Sequence, residues 1–322
     1  MTVNIKATLQ NYRNLINQEL ENLPIPDFPK SLYEPLQYSL QTKGKRIRPI
    51  LTLLVGVGMG ASIKDLLPAA LALEILHTYT LVHDDIMDND EMRRGQPTMH
   101  KKWDINTAIL SGDAMNTLAF RVLMNTNSPN LQKIGLEFTK GMMEICEGQA
   151  LDMEFEGRLE VSLDEYLTMI TKKTARLLAM SCKIGGWIAD CKKEEVDALE
   201  NFAIKTGQAF QIQDDLLEIL SNSKKMGKSL GSDFASGKKT YPMILTLSEM
   251  TPVDKKDFLT FLKNNSNIKE IRNSFLNSGS IEKSQVTINS LLSEAKQELN
   301  IFPKELRENL VGLIQYLQKR KS

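Results

Sequence analysis

Apolar residues return every three or four positions through most of this chain. That spacing predicts helices over Ile47–Gly58, Leu66–Asp88, Ala108–Met124, Gly135–Phe155, Leu163–Gly185, Glu194–Leu220 and Tyr241–Leu247. Met1–Glu21 reads as a further helix, with apolar positions at Ile5, Leu9, Leu15 and Leu20. The proline-rich run Leu23–Pro29 reads as an extended connection. No sustained alternation predicts a strand, and no turn signal predicts a β-hairpin. Residues Asn264–Asn300 are more polar and rich in Ser and Asn, and read as amphipathic helices on the outside of the body. No internal repeat or composition break marks a boundary. The expectation is an all-α, single-domain helical bundle over residues 1–322. The most apolar run, Leu66–Val82, carries Glu74 and His77, and is too short and too polar for a membrane span. It is expected to be a central buried helix.

Two acidic clusters interrupt this pattern, 130 residues apart: Asp84-Asp85-Ile86-Met87-Asp88 and Asp214-Asp215-Leu216-Leu217-Glu218. Residues i and i+4 share a helix face, so Asp84 stacks on Asp88 and Asp214 on Glu218. Such like-charge pairs repel by roughly 0.2–0.5 kcal/mol in water. A cation reverses the sign. Hard oxygen donors without a Cys or His cluster point to Mg²⁺, which keeps waters and takes one or two carboxylates plus substrate phosphates. A calcium EF-hand fails on register: from Asp85 it puts Met87 at position 3, and from Asp88 it puts Arg93 where Gly is needed. One such cluster commonly marks a solvated helix end. Two, each following an apolar helix, predict carboxylate ends meeting in one cavity of the bundle.

Formal net charge is zero, so the overall field favours neither nucleic acid nor a membrane surface. Positive charge is local. Lys43-Gly44-Lys45-Arg46-Ile47-Arg48-Pro49 is a basic loop at a predicted helix N-terminus, where free N–H groups and the helix dipole favour an anion. Arg93-Arg94-Gly95 follows the first acidic cluster, either as a salt-bridge network or as a bidentate phosphate grip. Lys173-Thr174, Lys228 and Lys238-Lys239 surround the second cluster in sequence. His77, His83 and His100 are too scattered for a metal site, and no nucleophilic triad is visible. Cys146, Cys182 and Cys191 read as reduced thiols of a cytoplasmic protein. What remains is diphosphate chemistry driven by metal and charge.

On these motifs the chain resembles the trans-type isoprenyl diphosphate synthases of the polyprenyl synthetase family. The resemblance runs from Lys43 to Pro242. It rests on Gly44–Pro49, His83–Asp88 with Arg93-Arg94-Gly95, Gly148-Gln149-Ala150-Leu151-Asp152, Lys173-Thr174, Phe210–Asp215, and Gly227-Lys228 with Gly231-Ser232-Asp233 and Lys238, in that order. It implies an all-α bundle around a deep central apolar cavity, usually a homodimer, with isopentenyl diphosphate and an allylic diphosphate as substrates. Asp84, Asp88 and Asp214 would ligate a cluster of three Mg²⁺ ions, with Glu218 joining directly or through water where the family usually has Asp. Arg93, Lys173, Lys228 and Lys238 would contact the allylic diphosphate. Lys45, Arg48, His77 and Arg94 would hold isopentenyl diphosphate. Asp85, Thr174, Gln211 and Asp152 would complete the catalytic surroundings. The basic end, Lys319-Arg320-Lys321, is similar to a tail that closes the site in some members.

The implied reaction is head-to-tail condensation through a carbocation, with no enzymic base of shifted pKa. Tyr79 and Thr80 lie about one turn below Asp84 on the same predicted helix. In the resembling family an aromatic at the position of Tyr79 goes with short products. The first motif also lacks the two-residue insertion common in bacterial farnesyl synthases. A C15 to C20 product is expected, geranylgeranyl diphosphate slightly ahead of farnesyl diphosphate. A terpene cyclase and a non-catalytic regulatory subunit are the rivals. The first would not need the basic Gly44–Pro49 loop, and the second would tend to lose the acidic motifs. Nucleic-acid partners and stable membrane insertion are not expected.

Overall fold

The computed structural model describes residues 5–220, 238–264 and 267–318. The chain is all-α. In order, the helices are α1 (Ile5–Glu21), α2 (Lys30–Gln41), α3 (Ile47–Gly58), α4 (Ile63–Met87), α5 (Met99–Lys102), α6 (Ile105–Leu123), α7 (Leu131–Glu156), α8 (Leu163–Ile170), α9 (Arg176–Ile188) and α10 (Lys193–Leu220). They continue as α11 (Tyr241–Ser248), α12 (Pro252–Asn264), α13 (Ile268–Asn277), α14 (Ser280–Glu298) and α15 (Lys304–Gln318). The described residues group into two compact units. The first comprises residues 5–139, 180–200 and 301–313, and the second residues 140–179, 201–220, 238–264, 267–300 and 314–318. Helices α7, α9, α10 and α15 contribute to both.

In the first unit α4 is the buried element. Its apolar residues lie on all sides, from Leu66 to Val82, so no single stripe faces a core. Ser62 caps its start by accepting from the Asp65 N–H at 3.2 Å, and Asp65 adds a favourable charge in the first turn. Helices α3 and α6 pack along it. Helix α4 is long and apolar enough to cross a membrane, yet 61% of its most apolar window is buried within the protein. In α1 the buried residues are Leu9, Ile16 and Leu20; Ile16 takes the place expected for Leu15, which is only half-buried.

Residues 92–97 form a β-hairpin that the sequence did not signal. Strands β1 (Met92–Arg93) and β2 (Gln96–Pro97) pair antiparallel around Arg94 and Gly95, whose φ values are 53° and 79°. Positive φ at both central residues makes the tight turn whose twist suits a hairpin. Two-residue strands are too short to show alternation, and Arg is an uncommon first turn residue, which is why the pattern stayed silent.

In the second unit the predicted helix Leu163–Gly185 is broken by a π-turn at Thr171–Ala175. Ser162 and Glu165 close a reciprocal capping box at the start of α8. The segment expected on the outside, Asn264–Asn300, is amphipathic but contributes to the interior. Ile271 and Phe275 are buried with Ile219, Met243, Leu247 and Leu262. Burying each such side chain is worth about 1.5–3 kcal/mol, enough to hold polar helices in place.

Candidate active site

The first acidic motif closes α4. Asp84 is half-buried and Asp88 exposed, while Asp85, between them, is buried. Asp85 turns inward and accepts a hydrogen bond from Arg93 Nε in a close ion pair; Arg93 Nη2 also reaches Asp90 at 3.4 Å. Burial pushes the Asp85 carboxyl up to about 6, against the opposing pull of the Arg93 charge. The hairpin therefore serves to fold Arg93 back onto the motif that precedes it. Thr98 Oγ1 ties the hairpin down by donating to the Asp90 carbonyl at 2.7 Å.

The basic loop lies against the same unit. Arg46 does not face outward with its neighbours. Its side chain is 2% exposed, and Nη1 donates to Glu74 Oε1 at 2.6 Å. The rest of its guanidinium donates to Asn17 Oδ1 and to the Leu40 and Thr42 carbonyls. Arg46 thus pins the loop to α1, α2 and α4, leaving Lys45 and Arg48 on either side of the anchor. Arg48 Nη1 lies 3.0 Å from His77 Nε2. Burial first, and then the charges of Arg48, Arg94, Arg93 and Arg46, hold His77 well below its ordinary value. His77 is therefore neutral at pH 7 and Nε2 accepts from Arg48, with its proton on Nδ1. Arg94 lies over Gly44, where a Cβ would meet its Nη1 at 2.5 Å, and donates to the Lys43 carbonyl at 3.4 Å. It forms no ion pair with a carboxylate among the described residues. Arg48 and Arg94 thus add positive charge beside a neutral imidazole, which favours an anion there.

Below Asp84, the Tyr79 ring packs on His83 with centroids 4.6 Å apart, and Thr80 Oγ1 donates to the His77 carbonyl. His83 fits because α6 offers Gly112: a Cβ there would lie 2.2 Å from His83 Nε2.

The second motif repeats the burial pattern of the first. Asp214 is exposed and Glu218 half-buried, while Asp215 is buried. Asp215 accepts from Tyr166 Oη at 2.5 Å and the Tyr241 N–H at 2.8 Å on one oxygen, and from Gln211 Nε2 at 3.1 Å on the other. Burial pushes its carboxyl up to about 6 despite these donors. Gln211 Oε1 in turn accepts from Thr174 Oγ1 at 2.9 Å.

Thr174 and Lys173 lie in the π-turn, a geometry that recurs at functional sites because it redirects side chains within a helix. Two glycines make room for it. A Cβ at Gly148 would lie 2.3 Å from the Lys173 nitrogen, and one at Gly207 would lie 2.5 Å from the Ala175 Cβ. Lys173 Nζ pairs with Asp152 at 2.5 Å, and Lys172 with Glu147. The lysine, the threonine, the glutamine and the second acidic motif are thus joined in one unit. Lys238 lies close enough to Asp215 to favour its charged form.

Lys228, Gly227, Gly231-Ser232-Asp233 and the basic end Lys319-Arg320-Lys321 lie outside the described residues. Three further groups shape these surroundings. Glu74 had a signal, a carboxylate inside the most apolar run. Gly112 and Tyr166 had none, since a glycine or tyrosine on a helix reads as ordinary packing.

Among the described residues, no three His, Cys, Asp or Glu side chains converge into a ready-made metal cage. The donor set nevertheless fits Mg²⁺: hard carboxylate oxygens in two i,i+4 pairs, at exposed or half-buried positions. The fold is all-α, with two i,i+4 acid pairs on its helices and with Arg93 and Lys173 held on carboxylates. The sequence profile of the polyprenyl synthetase family matches residues 29–277, and the chain belongs to that family. It is 41% identical to the short chain isoprenyl diphosphate synthase of Methanocaldococcus jannaschii, over 97% of this chain and 95% of that one. It is 36% identical to the geranylgeranyl pyrophosphate synthase of Geoglobus acetivorans, over 98% of this chain and 99% of that one. The crystal structure of geranylgeranyl pyrophosphate synthetase from Pyrococcus horikoshii superposes with a TM-score of 0.92 at 35% identity, covering 98% of each chain.

Proposed function

We propose that this protein is a trans-prenyltransferase. It condenses isopentenyl diphosphate head-to-tail with dimethylallyl, geranyl or farnesyl diphosphate to give a C15–C20 all-trans prenyl diphosphate, geranylgeranyl diphosphate slightly favoured. The observation that carries this reading is the division of labour within each acidic motif. The middle carboxylates are buried on protein donors, whereas Asp88 and Asp214 are exposed and Asp84 and Glu218 half-buried.

Asp84, Asp88, Asp214 and Glu218 would hold Mg²⁺, three ions per site. Bound there with the allylic diphosphate, Mg²⁺ supplies positive charge that stabilises the departing diphosphate. Arg93, Lys173 and Lys238 add cationic donors to the same group, and Lys228 belongs with them by sequence. Arg93 is held in readiness by Asp85 and Asp90, and Lys173 by Asp152, so neither has to be ordered from solvent when substrate arrives. Lys45, Arg48 and Arg94 bind the diphosphate of isopentenyl diphosphate, with neutral His77 orienting Arg48. As the allylic C–O bond breaks, its electron pair leaves with diphosphate. The alkene of isopentenyl diphosphate attacks the allylic carbon, a C–C bond forms, and the released diphosphate accepts the proton then lost. Tyr79, steadied by His83, limits the depth available to the product chain.

Exposed Ile105, Ile109, Leu110 and Phe120 on α6 support a homodimer. The burial of α4 supports a protein without stable membrane insertion, and zero net charge one without nucleic acid. Three cysteines, an odd number at spacings unlike those of a zinc site, fit a cytoplasmic location.

The test is incubation with labelled isopentenyl diphosphate, each allylic primer and Mg²⁺, followed by product sizing. Asp84→Ala and Asp214→Ala should each lower turnover by about a hundredfold or more while circular dichroism stays unchanged. A wild-type protein that forms no elongated product from any primer, or variants that keep full turnover, would overturn the reading.

A further inference from the structure

In each motif the buried middle aspartate is the residue without direct access to a ligand. Asp85 has an evident task, since it holds Arg93. Asp215 is bound instead by three neutral donors, with the Lys238 charge nearby. A buried carboxylate is costly compared with an apolar side chain of similar size, so its three protein donors call for an explanation beyond packing.

Tyr166 supplies the shortest of these contacts. Its side chain is buried, with 1% of the residue exposed, and its ring packs against Tyr241 at 5.7 Å. Burial first, and then the Asp215 charge, hold its phenol well above the ordinary value, so it stays protonated and donates. With the Tyr241 N–H and Gln211, it occupies both oxygens of Asp215 and fixes that side chain on the inner side of α10. Residue 214 is about 100° round the helix from 215, and residue 218 lies one turn on from 214. Clamping 215 inward therefore fixes the direction in which 214 and 218 present their carboxylates. The clamp also reaches the π-turn, through Gln211 to Thr174, so the metal-facing acids and the Lys173 turn are held by one hydrogen-bonded chain.

We propose that Tyr166 is a positioning residue of the second acidic motif. Acting through Asp215, it aligns Asp214 and Glu218 for a Mg²⁺–diphosphate ligand. This rests on the diphosphate reading given above. Groups that orient metal ligands in this manner typically change metal affinity by about 10- to 100-fold when removed.

Calorimetric titration of inorganic pyrophosphate into the full-length protein, across a series of Mg²⁺ concentrations, tests it without turnover. Wild type should bind pyrophosphate in a Mg²⁺-dependent manner; if it does not, the diphosphate reading itself fails. Given that binding, Tyr166→Phe should weaken the Mg²⁺ dependence by about 10- to 100-fold. Tyr241→Phe, which loses an equally ordinary tyrosine hydrogen bond to Thr287 but keeps the N–H on Asp215, should retain wild-type affinity at a comparable loss of Tm. Asp215→Asn should match Tyr166→Phe, and the double variant should be no weaker than Asp215→Asn alone. The double variant also relieves the unpaired buried charge that could unfold Tyr166→Phe, so the comparison survives an unstable single variant. Wild-type affinity in Tyr166→Phe, or a double variant weaker than Asp215→Asn by the full separate effect, would overturn the proposal.

Discussion

Glu74→Ala tests the most consequential contact that the basic loop makes. Arg46 Nη1 and Glu74 Oε1 are 2.6 Å apart, and both side chains are 2% exposed. Arg46 keeps three neutral acceptors after the substitution, Asn17 Oδ1 at 2.9 Å and the Leu40 and Thr42 carbonyls at 3.0 Å each. Among the described residues it loses the one carboxylate it pairs with, and is left as a buried charge without a counter-ion. Removing one member of such a pair costs about 3–5 kcal/mol. For a chain of this size each kcal/mol moves Tm by about 2 °C, so the expected drop is about 6–10 °C. Arg46 also stands at the start of α3 with φ of 53°, a left-handed conformation held by these same bonds. Loosening it should release Lys45 and Arg48. The second expected consequence is a raised KM for isopentenyl diphosphate with little change in the KM for the allylic primer. Differential scanning calorimetry gives the first quantity and steady-state kinetics with each substrate varied gives the second. Glu74→Gln, which keeps an acceptor opposite Arg46, should lie between wild type and Glu74→Ala on both scales. A Tm shift under about 1 °C for Glu74→Ala would show that the pair does not carry the loop, and the reasoning about Arg46 would be wrong.

Gly148→Ala should be severe for its size, because the added methyl meets the Lys173 backbone at 2.3 Å and a backbone cannot swing aside. The expected cost is about 1–3 kcal/mol in stability, and a shift of Lys173 by about 1 Å should lower turnover by about a hundredfold; full activity at wild-type Tm would refute the role given to the glycine. Tyr79→Ala removes the ring that packs on His83, and chromatography of its products should show chains longer than those of wild type, whereas unchanged lengths would remove Tyr79 as the floor.

The sequence alone determined the helices and the chemistry. Apolar periodicity is a local property, so Ile47–Gly58 was read to the residue, and α4, α6 and α10 to within a few residues at each end. The i,i+4 spacing of Asp84 with Asp88, and of Asp214 with Glu218, is likewise fixed by helix geometry once the helix is known. Only the tertiary structure decided which member of each acidic triple is committed inward. Asp85 and Asp215 are indistinguishable from their neighbours by type, and their fate depends on Arg93 from a hairpin and on Tyr166 and Tyr241 from other helices. The same holds for Arg46, one of four cations in its loop, which turns inward because Glu74 on α4 can neutralise it there. The π-turn at Thr171–Ala175 was also hidden, because it exists only where Gly148 and Gly207 let two helices come close. Periodicity reports which face of a helix is apolar. Which polar group is buried is set by the partner brought to it from elsewhere in the chain.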